Sequence, residues 1–319
     1  LLAIADAPEH ELRAELTHLQ AAEFLYETRL FPDLEYTFKH ALTHEVAYGG
    51  LLHDRQRALH ARITEAIERL STERVAEQAE RLAHHALRGE LWEKAVAYLR
   101  QAGLRAMARA ANREAIAHLE QALGTLRHLP ETRETTELTI DIHIDLRNAL
   151  IPLGDRARIG DHLHEAEGLA RTLGDQHRLA RIATFMVIQC LNTGDYDEAL
   201  RFGQEALSIG RTLGDRSIEV VATSFLGHTH VARGEFSDAA TFLERNVALE
   251  GDLRYERFGT PAIQSARSGA YLADVLSQLG RFDEAIGHAE AAVQIAEAAD
   301  HPFTRYFGLF DLGLAHLRR

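Results

Sequence analysis

The feature that most constrains this chain is a segment that recurs. Residues 194–215 read GDYDEALRFGQEALSIGRTLGD, residues 234–252 read GEFSDAATFLERNVALEGD, and residues 280–300 read GRFDEAIGHAEAAVQIAEAAD. Each copy opens on a glycine: Gly194, Gly234 and Gly280. An aromatic follows two residues later (Tyr196, Phe236, Phe282), and an alanine three after that (Ala199, Ala239, Ala285). Seven residues further stand Ala206, Asn246 and Ala292. The pentapeptide RTLGD occupies 171–175 and again 211–215, a shift of 40 residues, and the step from Ala239 to Ala285 is 46. A period of this size means stacked supersecondary units, each burying its apolar face on a neighbour.

Each copy reads as a turn followed by a helix. Glycine tolerates the left-handed backbone that ends one helix and starts the turn. Positions seven apart lie on one helical face, and small side chains there let a second helix approach closely. That second helix precedes the glycine, at 176–191, 216–232 and 261–278. The unit is therefore a helical hairpin, helix A then helix B, stacked on the next hairpin.

This pattern resembles the tetratricopeptide repeat (TPR), in which helix A carries Leu-Gly seven to eight residues before the turn glycine. Leu226-Gly227 precedes Gly234, Leu272-Ala273 precedes Gly280, and Met186-Val187 precedes Gly194. The period exceeds the usual ~34 residues, so each helix is expected to be longer by up to a turn or so. The final stretch 302–319 carries Leu312-Gly313, which would place the next turn glycine at 320. With Leu rather than Met at residue 1, the expectation is a piece of a longer protein.

Composition agrees with an all-α chain: there are 6 prolines in 319 residues, and that length suits a solenoid better than one compact core. The formal net charge of −13 argues against nucleic acid as a ligand, because phosphate contacts need a basic footprint. The lone Cys190 excludes an intrachain disulfide and fits a reducing, cytoplasmic setting. No apolar run has the length of a membrane span and no signal peptide is visible.

Before the repeats the pattern changes. Residues 8–22 read as an amphipathic helix with Leu12, Leu16 and Leu19 as its buried stripe. Residues 24–30 and 34–38 read as a β-hairpin, with Phe31-Pro32-Asp33 as its turn. Helices are expected at 40–52, 54–70, 75–87, 92–108 and 113–126. A polar break follows at 130–136, then an A helix at 138–150 and its B helix at 159–173. A helix followed by a hairpin resembles the second half of a winged-helix domain.

Residues 36–52, YTFKHALTHEVAYGGLL, with Arg57-x-Leu59-His60-x-x-Ile63 after them, resemble a segment of bacterial signalling ATPases. The stretches at 82–103 and 113–123 extend the likeness. These proteins often carry an N-terminal class III adenylate/guanylate cyclase domain, an ATPase module and a TPR tail. The maltose-regulon activator and the apoptotic and plant immune receptors share the broader architecture. The resemblance implies that residues 1–56 close a winged-helix domain and that 57–319 form a TPR-like α-solenoid. It also implies that His40 senses the phosphates of bound ADP in the intact protein. The class often has Asp next to that histidine, and here Ala41 follows. No GxxxxGK[ST] loop occurs in the chain, so ATP or ADP would be held by an upstream module and this chain itself carries no cofactor.

The remaining signals read as structural. His40 and His44 sit one helical turn apart beside Glu45, but the order HxxxHE is not the HExxH of zinc peptidases, and no metal is expected. His84-His85, His162/His164 and His228/His230 are spaced too closely to share an ion from one helix face. Cys190 reads as a core thiol. Asp197-Glu198 and Asp283-Glu284 recur at helix starts, where they favour the dipole, so a catalytic dyad is not indicated.

The inner wall of a TPR stack is lined two positions after the Leu of Leu-Gly, here Asn148, Ile188, His228, Asp274 and Leu314. This mixed set lacks the Lys/Asn pattern of a carboxylate clamp and suits a protein or peptide effector. The expectation is a non-catalytic regulatory and protein-interaction arm that senses an effector and relays it to the nucleotide module upstream. Homo-oligomers are compatible with it; nucleic acid and membrane are not expected partners. The alternative is a passive TPR scaffold without nucleotide coupling.

Overall fold

The computed structural model describes residues 1–5, 7–29, 35–70 and 77–319. They pack as two compact units, Leu1–Leu153 and Gly154–Arg319. The fold class is all-α and TPR-like, with one small sheet near the N-terminus. The boundary expected at 56/57 separates two family-defined parts and lies inside the first unit, so the division by compactness does not speak to it.

The first unit runs α1 (Glu9–Ala21), β1 (Leu25–Arg29), β2 (Glu35–Phe38), α2 (Ala41–Gly49), α3 (His53–Leu70), α4 (Ala79–Arg88), α5 (Trp92–Ala108), α6 (Asn112–Leu126) and α7 (Arg133–Leu150). The strands pair antiparallel with Leu25 opposite Phe38 and a bulge between Glu27 and Arg29. The turn expected at Phe31-Pro32-Asp33 and the helix start expected at Val75 lie outside the described residues. No residue of α1 or α2 is buried, so the stripe of Leu12, Leu16 and Leu19 is only partly covered. The core starts at α3, where His60, Thr64 and Ala66 are buried. It continues through Leu82, Leu99 and Leu119, as α3 to α7 each pack on the next. Helix α7 begins earlier than the expected residue 138. Thr132 and Thr135 form a reciprocal capping box, which satisfies two orphan donors and turns the end of the polar break into helix.

The second unit opens with four helices of 18 residues each: α8 (Arg156–Leu173), α9 (Gln176–Thr193), α10 (Tyr196–Leu213) and α11 (Arg216–Arg233). Between them stand Gly-Asp pairs. Gly174, Gly194 and Gly214 take φ of 67°, 83° and 65°, the left-handed conformation that only glycine adopts without penalty. The aspartate that follows caps the next helix: Asp175 accepts from the Arg178 amide, Asp195 from Glu198, and Asp215 from both Ser217 and Ile218. We expect Asp215→Ala to cost about 1–2 kcal/mol, and Asp215→Asn far less, because asparagine still accepts at the cap; urea denaturation compares the two.

After α12 (Phe236–Val247) the regularity breaks. A short 3-10 turn, Gly251–Tyr255, and a loop intervene before α13 (Gln264–Gln278), α14 (Phe282–Ala298) and α15 (Pro302–Arg318). This inserted stretch accounts for the 46-residue step, and it delays α13 past the expected residue 261. The Ile263 amide donates to Thr304 Oγ1 at 3.0 Å, which ties the end of the insertion to α15.

Packing follows the small residues. Ala199, Ala206, Ala239 and Ala285 are fully buried, and Phe236 packs on the core of α12–α14. A Cβ on Gly203 would lie 2.7 Å from Leu226 Cδ2, and one on Gly227 would lie 2.7 Å from Leu243 Cγ and Cδ2. Leu226 therefore fills a notch in α10, while its neighbour Gly227 is the notch that Leu243 of α12 fills. Gly103 of α5 receives Leu119 of α6 in the same manner, with a Cβ-to-Cγ distance of 2.8 Å. Within the described residues, no helix is long and apolar enough to cross a membrane.

Candidate partner-binding groove

Helices α9, α11, α13 and α15 are successive A helices, and neighbours among them touch. Ile188, His228, Asp274 and Leu314 sit on them one after another, each partly exposed. They do not meet one another. Instead His228 stacks on Tyr271 of α13 with ring centroids 4.4 Å apart, and Asp274 accepts from Arg318 of α15. Asn148 lies on α7 in the first unit, where its Oδ1 accepts from Arg147 at 2.8 Å.

Charge on this wall is unevenly paired. Asp311 of α15 is buried, and burial together with the Asp274 carboxylate pushes its carboxyl up to about 7, although Arg318 pulls the other way. His228 is pushed down to about 4 by burial and then by the Arg267 cation, so at neutral pH it is an uncharged ring. Its Nδ1 is buried without a hydrogen-bond partner among the described groups, as is the Nε of Arg267. The Arg267 guanidinium lies 5.3 Å from the ring centre of Phe225, 5.5 Å from Tyr271 and 5.8 Å from Phe307.

A second concavity, about 670 Å³, lies beside the inserted segment, between Ser217, Leu253 and residues 256–261. Phe258 and Gly259 there both take left-handed φ, 51° and 74°. His230, Glu235 and Asp238, across the α11–α12 turn, form the one group among the described residues whose ligand atoms gather closely enough for an ion. Both oxygens of Glu235 are already engaged at 2.7 Å, one by Arg233 Nε and the other by His230 Nδ1. His40, His44 and Glu45 form no such group.

In the first unit His40 is the exposed N-cap residue of α2, and its side chain makes no capping bond. The adjacent Lys39 ammonium bonds Glu23 at 2.5 Å and holds that carboxyl below its ordinary range. From His44 a run of rings leads inward: His44 stacks on Tyr48, the Tyr48 hydroxyl meets His60 Nε2 at 2.9 Å, and His60 Nδ1 meets His85 Nδ1 at 2.8 Å. Arg88 donates to the Tyr48 hydroxyl at 3.1 Å. Burial lowers His60, His84 and His85, the last to about 4. Sequence spacing did not reveal this cluster, because its members come from α2, α3 and α4. Cys190 is buried, and burial with Asp195 and Glu198 nearby pushes its thiol up to about 11; a thiol held neutral is a poor nucleophile.

The sequence profile of the tetratricopeptide repeat matches residues 265–299, which span α13, its turn glycine and α14. The chain contains a TPR region. No curated protein matches the sequence. Among solved structures, the TPR fold here is similar to the Rap conjugation gene regulator of plasmid pLS20 in complex with the Phr* peptide, at 18% identity and TM-score 0.55. That match covers 74% of this chain, which spans 60% of the regulator's length. BtubC from P. vanneervenii is similar at 19% identity and TM-score 0.58, over 78% of this chain and 93% of that one. The apo quorum sensor NprR from B. thuringiensis is similar at 12% identity and TM-score 0.57, over 94% of this chain and 81% of that one. At these identities the likeness is one of fold.

Proposed function

We propose that this chain is the regulatory and protein-interaction arm of a cytoplasmic signalling ATPase of the kind fused to class III cyclase domains. The observation that carries the interaction part is the A-helix wall of the second unit, where partly exposed, chemically unlike side chains line successive helices of a TPR-like stack. The pLS20 regulator, which shares the fold, was solved with a peptide bound, and a peptide or protein segment is the effector we assign to this wall. The arm performs no chemistry of its own.

The link to nucleotide rests on the resemblance at residues 36–52, with residues 1–56 closing a winged-helix domain and 57–319 forming the solenoid. His40 suits a phosphate-sensing role: it is exposed and free of capping duty at the start of α2, where helix N–H groups favour an anion. The ring run from His44 to His85 offers a packed route from that point into α4. In the intact polypeptide, His40→Ala is expected to weaken ADP retention or raise basal activity. The deciding test is calorimetry of ATP and ADP on this chain and on the intact polypeptide in parallel. Binding by the intact polypeptide alone supports the arm; binding by neither leaves a passive scaffold as the better reading.

A further inference from the structure

Helix α15 carries a seam that the described residues leave uncovered. Phe303, Tyr306, Phe310, Gly313 and Leu317 recur at spacings of three and four, the rhythm of a helix face that packs along another helix. The buried residues of α15 are Thr304, Gly308, Asp311 and Ala315, on the opposite side. Phe303, Tyr306 and Phe310 are 50%, 60% and 53% exposed, Leu317 is 81% exposed, and Leu309 flanks them at 49%.

The earlier A helices show what such a face ordinarily meets. Forty residues back, the same five positions are Ile263, Ala266, Ala270, Ala273 and Ser277, and all are buried. Ile263, Ala266 and Ala270 share a core cluster with Ala292 and Ile295 of the B helix α14. The second and third positions are no larger than valine wherever a B helix closes in: Ala266 and Ala270 in α13, Val220 and Ser224 in α11, Ala180 and Thr184 in α9. In α15 they are Tyr306 and Phe310. Two rings there hold a B helix away from the close approach that small residues allow, so the seam suits a different occupant.

The seam complements itself. It is centred on Phe310, with Phe303 and Leu317 seven residues to either side. When a second copy is laid antiparallel about Phe310, Phe303 comes level with Leu317 and Tyr306 with Gly313. A Cβ on Gly313 would meet nothing within 4 Å, so this glycine is an open notch of the kind that Gly227 offers to Leu243. Each copy thus sets a large ring opposite the notch of the other. Parallel pairing sets ring against ring and notch against notch. Charge agrees with the antiparallel order. The exposed acids Glu297 and Asp300 outnumber Arg305 at the start of α15, and His316 and Arg319 are exposed at its end, where Arg319 holds only the exposed Asp283. At roughly 200 Å² for a fully exposed large side chain, the five apolar residues present on the order of 600 Å² per copy. A standard interface takes about 800 Å² from each partner, which the seam reaches with its polar rim.

We propose that α15 pairs antiparallel with α15 of a second copy, Phe310 on Phe310 at the two-fold axis and each Tyr306 in the other copy's Gly313 notch. The contact is isologous and closes as a dimer. Leu314, the α15 member of the A-helix wall, is not part of the seam.

Sedimentation equilibrium of the 319-residue chain is expected to show a dimer with a dissociation constant in the micromolar range. Phe310→Asp should weaken it about a hundredfold with the thermal transition in place, since Phe310 is half exposed. Gly313→Leu is the sharper variant. Its side chain has room in the single chain, yet it closes the notch to Tyr306, so the dimer should weaken at least tenfold although the surface becomes more apolar. Unspecific sticking would instead strengthen, and that result would overturn the proposal. A short bis-maleimide reads the register, because Cys190 is buried and leaves only introduced thiols to react. Phe310→Cys should link to itself, and Phe303→Cys should link to Leu317→Cys but not to itself; self-linking of Phe303→Cys would overturn the antiparallel pairing. A chain that stays monomeric at ~100 μM would overturn the dimer. So would an intact polypeptide that is monomeric, whether its Phe310→Cys thiol is shielded by a further helix of the same chain or left open for another protein. Nucleotide calorimetry tests the signalling arm separately from all of these outcomes.

Discussion

Replacing Leu226 by alanine is expected to lower the stability of the second unit by about 3 kcal/mol, within the range for fully buried leucines. Leu226 has no exposed surface, and its side chain fills the notch left by Gly203 in α10. Truncation empties that notch, and a helix packed on both sides cannot close the gap by moving one way. The adjacent Gly227→Ala probes the opposite fault. Helix propensity alone would favour alanine by up to ~1 kcal/mol. The new Cβ, however, would lie 2.7 Å from Leu243 Cγ and Cδ2, and Leu243 is itself fully buried. Overpacking costs about 1–3 kcal/mol, so the net effect is expected to be a loss. Urea unfolding followed by circular dichroism gives the magnitudes, and amide exchange shows where protection falls. In a linear array, the loss should centre on α10 to α12. A cost of Leu226→Ala below ~1 kcal/mol would contradict the interlocked packing.

The second large effect is acid sensitivity confined to the first unit. A histidine whose folded pKa is depressed stabilises the fold above its unfolded value, and that stability is lost as pH falls. His85, at about 4 against an ordinary 6.5, gives up its share between those two values, and His60 and His84 shift in the same direction. At 1.36 kcal/mol per unit the His85 share alone would be roughly 3.4 kcal/mol, cut to about 2 kcal/mol by allowance for partial exposure. In the second unit His228 behaves alike, but Asp311 opposes it. Its folded value of about 7 lies above the ordinary 3.8, so its contribution is full at low pH and lost as pH rises through 7. Between pH 6.5 and 4 these two nearly cancel. The single tryptophan is Trp92 of α5, stacked on His128 at 4.2 Å, and it reports on the first unit alone. Its emission maximum in moderate urea should move to the red below pH 6, while exchange protection in α9 to α11 holds. His85→Gln should move that midpoint to lower pH. Loss of both units together at one pH would contradict the assignment.

The hairpins of the second unit were legible because the turns at Gly194, Gly234 and Gly280 carry glycine and most of the buried contact positions carry alanine. The first unit read as less regular for a local reason. At its α4–α5 and α5–α6 turns the left-handed positions are held by Glu90, φ 54°, and Ala110, φ 59°, residues that do not announce such a turn. The Gly-Asp cap was present in the repeated RTLGD, but the aspartate was legible only as part of a repeat, not as a cap. The inserted turn after α12 left a trace only as a longer step. The surroundings of Arg267 were out of reach of spacing arguments, since Phe225, His228, Arg267 and Phe307 come from three helices and show their relation only when those helices stack. Positions two after the Leu of each Leu-Gly do lie on successive A helices, but His228 touches Tyr271 and Asp274 touches Arg318, each about one turn from its counterpart on the next helix.

The left-handed residues at the turns that join one helix directly to the next also count. They fall at 90 and 110, at 154, 174, 194, 214 and 234, and at 280 and 300, twenty apart within each run. Chain length here comes in quanta. Twenty residues make one helix with its turn, capped by aspartate in α8 to α11, and reverse the chain's direction; forty restore it. Duplication or loss of forty residues between like Gly-Asp junctions would therefore splice one capped helix end to another and keep every downstream helix on its own side. A length change of any other size must be absorbed outside the helices, as the extra chain between α12 and α13 absorbs its own. A reading frame built this way can lengthen or shorten its wall of A helices in whole steps without redesigning a single contact in the steps that remain.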